Sequence, residues 1–171
     1  MRSPSRLAAD RAGSAAAELA LALPLLLILM FGSFEVGYYF LSEHVVQKSV
    51  RDAARYASRL PMTSYPGCAP SATALTQIQR VAKAGDPDGD ADGDGTQDKR
   101  LEGWTADTMT TVRVTCDTSG TYTGIYSELA QGVPVVTVIA QVPYNSLFGA
   151  LGIVDPSLVL NAQSQSAVFG A

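Results

Sequence analysis

Histidine is almost missing from this 171-residue chain, which has His44 alone, and cysteine is limited to Cys68 and Cys116. So small an inventory excludes a zinc centre of several thiolates and leaves no histidine for a nucleophile–base pair deep in a folded domain. Basic charge is scarce too. Twelve Lys and Arg stand against 16 Asp and Glu, for a formal net charge of −4, which gives a nucleic-acid partner no electrostatic footprint. With no acid/base pair or activated nucleophile to place, an enzyme is not expected. Charge of either sign vanishes from Leu19 to Phe34, sixteen residues bounded by Glu18 and Glu35.

What is there begins with that run. If Glu18 and Glu35 are tolerated at its edges, the apolar segment covers 14–41, roughly 40 Å of helix, enough to cross a hydrocarbon core of about 30 Å with some tilt. Arg2, Arg6 and Arg11 precede it against Asp10 alone. The positive-inside rule therefore puts residues 1–13 in the cytoplasm and everything past Leu41 outside. Three readings fit such a segment. A cleaved secretory signal wants small residues at −3 and −1, and the exit Met30-Phe31-Gly32-Ser33-Phe34 offers no such pair. A plain signal anchor explains the arginines and the greasiness but leaves Glu18 unexplained. The third reading needs Gly13, the small residues after it, and Glu18 at fixed spacing.

Gly13-Ser14-Ala15-Ala16-Ala17-Glu18-Leu19 resembles the processing site of type IV prepilins, a basic leader and a glycine before a hydrophobic helix with glutamate at its fifth position. With F-G-S-F-E-V-G at 31–37 and V-R-D-A-A-R-Y-A at 50–57, residues 12 to about 60 resemble the TadE-like pseudopilins of the tight-adherence (Flp) pilus system. Leu19 stands where that pattern has an aromatic, and Tyr38 where it has an arginine. The resemblance implies a non-enzymatic minor pilin in the inner membrane, cleaved between Gly13 and Ser14 by a prepilin peptidase, with other pilins and the Tad secretion machinery as partners. Glu18 would neutralise the new Ser14 ammonium of a neighbouring subunit, since pairing is what makes a buried charge bearable. Snorkelling to the headgroups is the simpler account of Glu18, and more so of Glu35, the second candidate assembly residue.

Past the membrane, the extension 42–60 carries Val46, Val50, Ala53, Ala57 and Leu60 at spacings of 4, 3, 4 and 3, an apolar helical stripe that Pro61 ends. The head, 61–171, reads as a helix over 71–84 with Leu75, Ile78 and Ala82 on one face. Three β-like runs follow, at 110–116, 133–144 and 158–169, with an apolar loop at 146–157. The expected fold class is α+β, a long N-terminal helix packed on a small antiparallel sheet of three or four strands. Cys68 and Cys116 lie on the external side, where disulfides persist, and two cysteines allow one intrachain bond.

The loop 86–98, DPDGDADGDGTQD, holds six aspartates. A D-x-D-x-D-G frame places Asp90, Asp92, Asp94 and Asp98 as candidate calcium ligands, with Gly95 at the turn. The twelfth place, however, is Leu101 rather than Glu, and Glu102 comes one place late. A solvated acidic linker has the same composition. An uncleaved, membrane-anchored calcium-binding surface protein is the alternative to the pseudopilin.

Overall fold

A computed structural model describes residues 11–120, 122–127, 131–149 and 157–170. The chain divides into two compact units, Met1–Tyr38 and Tyr39–Ala171. Of the expected leader, residues 1–10 lie outside the described residues, as do 150–156 of the apolar loop.

Helix α1, Arg11–Arg59, runs through both units. In the first, nearly every described side chain is exposed, including Leu21, Leu25, Ile28 and Phe34. Pro24 lies inside the helix, where its ring removes the bond to the carbonyl of Ala20. One stretch of α1 is long and apolar enough to cross a membrane, with mean hydropathy 2.2.

In the second unit α1 becomes amphipathic. Val46, Val50, Ala53, Ala54 and Ala57 are buried, as the stripe requires. Helix α2, Ala72–Lys83, starts at Ser71, whose Oγ accepts the amide of Ala74 at 3.3 Å, an N-cap worth about 1 kcal/mol. Its buried face is Ala74, Ile78, Val81 and Ala82, while Leu75 is only half-buried. The expected face was thus rotated slightly, because Val81 rather than Leu75 completes the stripe. Gly85 ends the helix with φ +99° and its amide on the Val81 carbonyl at 3.0 Å, a left-handed turn that glycine adopts without strain.

Strands β1 (Thr110–Asp117), β2 (Val133–Pro143) and β3 (Val159–Ala167) form one antiparallel sheet in the order β1-β2-β3. Val112 pairs with Val138, Val114 with Val136, and Val142 with Leu160. Period-2 alternation puts alternate residues of central β2 on one face, where Val136, Val138, Ala140 and Val142 are fully buried, and leaves Val135, Thr137 and Ile139 half-buried on the other. Trp104, Tyr65 and Ile78 complete the core. A long apolar helix and a small three-stranded antiparallel sheet make the fold α+β. The disulfide joins Cys68 to Cys116, 48 residues apart, with Cα atoms separated by 5.8 Å.

Candidate processing, assembly and metal sites

The Gly13–Ser14 bond lies in helical backbone, and Ser14 Oγ donates to Glu18 Oε1 at 3.3 Å. Four residues apart, the two side chains stack on one face of the helix. Both are exposed, on the surface that also carries the leucines. Glu35 is instead buried. Added Cβ atoms at Gly32 and Gly37 would meet nothing within 4 Å, so neither glycine is required there by packing within this chain.

The acidic loop is a closed structure. Its neck is two backbone bonds, Asp98 N–H to the Gly89 carbonyl and Arg100 N–H to the Lys83 carbonyl, both 2.8 Å. Inside, the Asp90 carboxylate accepts the amides of Gly93, Asp94 and Gly95 at 2.8–3.1 Å, and Asp98 Oδ2 accepts that of Ala91 at 2.6 Å. Positive φ at Gly89, Gly93 and Gly95 lets the chain curl round these carboxylates. Asp90, Asp92 and Asp98 each bring an oxygen within 4.8 Å of the others, so the three could together hold a divalent cation. Asp94 is not in that group. Its Oδ1 takes the amide and hydroxyl of Thr96 at 2.7 and 2.6 Å, bonds that hold its carboxyl below the usual range. Glu102, the late candidate for the last ligand, is 2.7 Å from Lys99 Nζ instead.

Sequence reasoning missed what pins this loop to α1. Arg100 Nη1 donates to Ser49 Oγ at 3.0 Å and Asp52 Oδ2 at 3.1 Å. The guanidinium lies over Gly85, where an added Cβ would stand 2.7 Å from Nη2. Ser49 was a faint signal, as a fully buried polar residue on the apolar stripe that needs a partner. Burial, followed by the charges of Asp88 and Asp86, raises the nearby Tyr56 phenol above its ordinary pKa.

Residues 13–55 match the family model described as TadE-like protein. This stretch is similar to TadE-like proteins. It contains Gly13, Ser14, Glu18 and Glu35, and the first part of the buried stripe on α1, Val46, Val50, Ala53 and Ala54. No curated protein and no solved structure matches the chain.

Proposed function

We propose that this protein is a pseudopilin or minor pilin of a Tad/Flp-type pilus, a non-enzymatic subunit held in the inner membrane by α1 with its head outside. The observation that carries this reading is the TadE-like match over 13–55, which includes a glycine and a glutamate at prepilin spacing. A prepilin peptidase cuts after Gly13, where the lack of a side chain leaves room in the peptidase site. Cleavage removes Arg2, Arg6, Asp10 and Arg11 and so frees the helix from its cytoplasmic charges. Glu18 then receives the Ser14 ammonium of the next subunit, and the exposed leucine surface exchanges lipid for neighbouring helices.

N-terminal sequencing from cells with the peptidase tests the reading. The mature chain begins at Ser14, and Gly13→Leu blocks the cut. A mature protein that keeps its leader beside an active peptidase overturns it.

A second reading, the uncleaved anchored calcium-binding surface protein, draws on the gathering of Asp90, Asp92 and Asp98. An all-oxygen donor set suits calcium, and a calcium ion in this loop is compatible with either reading. The start of the mature chain tells them apart.

A further inference from the structure

Within the second unit, the solvent side of α1 is a basic ridge. His44, Lys48, Arg51, Arg55 and Arg59 follow at spacings of 4, 3, 4 and 4, so they stack on one face of the helix, and all are exposed. That face lies opposite the buried stripe of Val46, Val50, Ala53 and Ala57. The acids of α1 in this unit do not neutralise it. Glu43 accepts from the Gln47 side chain at 3.2 Å, and Asp52 is held by Arg100 at 3.1 Å, with Lys48 more distant at 3.9 Å. The side chains of Arg51, Arg55 and Arg59 make no hydrogen bond or ion pair among the described residues. Arg51–Arg55 and Arg55–Arg59 are like-charge pairs four residues apart, an arrangement that weakens a helix and that an anionic partner relieves.

The opposite charge is in the same chain but on another surface. Residues 86–98 hold six aspartates and no lysine or arginine, and at the tip of this loop every residue from Ala91 to Thr96 is exposed. Only the neck of the loop comes close to α1, through Arg100 and beside Tyr56. Arg55 and Arg59 also line an open cleft of about 320 Å³ with Tyr56, Val81, Gly85 and Arg100. Ridge and tip are different patches, so a pairing of the two between copies is heterologous. Such a contact leaves one ridge and one tip unused at the ends, and extends copy by copy instead of closing as an isologous dimer does.

We propose that the arginine ridge of α1 receives the Asp92–Asp94 tip of the acidic loop of a second copy, a head-to-tail contact between subunits outside the membrane. Exposed ion pairs are individually weak and are screened by salt. Several pairs act together here, between copies whose confinement in one bilayer raises their effective concentration. The inference rests on the assembly reading above, to which it adds a contact made by the heads.

The test uses the full chain in phospholipid vesicles, with EDTA present so that no divalent cation occupies the loop. Arg55→Cys in one chain and Asp92→Cys in another add one free thiol each, because Cys68 and Cys116 are bonded to each other. The two chains are reconstituted together and treated with a flexible bismaleimide. The control pairs Arg55→Cys with Thr111→Cys, an exposed site on the half-buried face of the sheet. A heterodimer yield several-fold above the control, falling to its level in molar NaCl, supports the proposal. A yield equal to the control at low salt overturns it. Bridging between two Arg55→Cys chains that matches the heterodimer also overturns it, since the contact is then isologous. An Arg55→Cys thiol protected by anionic lipid, with no heterodimer, gives the ridge to headgroups and overturns the loop pairing. Trp104, the single tryptophan, is fully buried and reports folding. If either substitution disturbs it, Arg59→Cys and Asp94→Cys take their places with the same outcomes. None of these yields depends on where the mature chain begins, so the contact and the processing reading fail separately.

Discussion

The phenol of Tyr65 donates a 2.6 Å hydrogen bond to the carbonyl of Ala57, eight residues back in α1. It closes the end of the helix over the loop that follows. Burial, and to a lesser degree the charge of Tyr56, raises the Tyr65 pKa above its ordinary 10.0. A raised folded-state pKa contributes stability that is whole below the unfolded value and is lost as pH climbs through the folded one. Stability should therefore hold up to about pH 10 and fall above it. Tyr65→Phe should cost about 1 kcal/mol near neutrality and flatten the alkaline limb. Urea unfolding of the full chain in detergent, followed by Trp104 fluorescence, reads both. An alkaline limb unchanged in the variant counts against this assignment.

Arg100 is the stitch between the acidic loop and α1. Its bonds to Ser49 and Asp52 are partly sheltered, so Arg100→Ala should cost about 1.5–3 kcal/mol. Lysine should restore only part, lacking the planar fork. Gly85→Ala should destabilise as well, through its positive φ and by pushing the guanidinium away. If Arg100→Ala leaves the urea midpoint in place, the stitch has no energetic role.

Reduction of Cys68–Cys116 opens a loop of 48 residues, and the chain-entropy account gives a loss of about 4 kcal/mol. A Cys68→Ala, Cys116→Ala chain should show a comparable drop by the same fluorescence measurement. An unshifted midpoint would contradict it.

Glu18→Ala should leave cleavage after Gly13 intact while impairing pilus assembly, because the ammonium of the neighbouring Ser14 loses its partner. Glu18→Gln should be nearly as poor, since it keeps size but not charge. Immunoblots of sheared surface fractions beside whole-cell processing assays separate the two steps, and normal fibres from Glu18→Ala would refute the pairing.

Calorimetric titration of the calcium-depleted full chain should detect binding with Kd on the order of 10⁻⁴–10⁻³ M, the range of weak extracellular modules, given the missing bidentate glutamate. Asp90→Asn and Asp98→Asn should abolish it. Asp94→Asn should matter less, because its carboxylate is engaged by Thr96. Silence at millimolar calcium removes the ion from the account.

Much of this was legible in the chain, for reasons local to each element. The 3–4 spacing of Val46, Val50, Ala53 and Ala57 and the stop at Pro61 describe α1 in one segment. The alternation around Val112 and Val114 describes a strand in another. The two cysteines had one way to pair. Contacts joining distant segments left no such trace. Nothing periodic links Arg100 to Ser49 and Asp52. The aspartates show why motif spacing alone falls short. Their residue types suit oxygen coordination, but whether each carboxylate points inward depends on turn conformation, and at Asp94 the neighbouring threonine wins.

The position of the disulfide has a mechanical meaning. Cys68 follows the end of α1 by nine residues, and Cys116 lies within β1. A pull along α1 passes through Pro61–Cys68 and crosses at once into the sheet. Residues 69–115 then hang outside the load path as a covalently closed loop. Covalent tension thus bypasses α2 and the acidic loop, and α1 loads that loop only through noncovalent contacts such as the Arg100 bonds to Ser49 and Asp52.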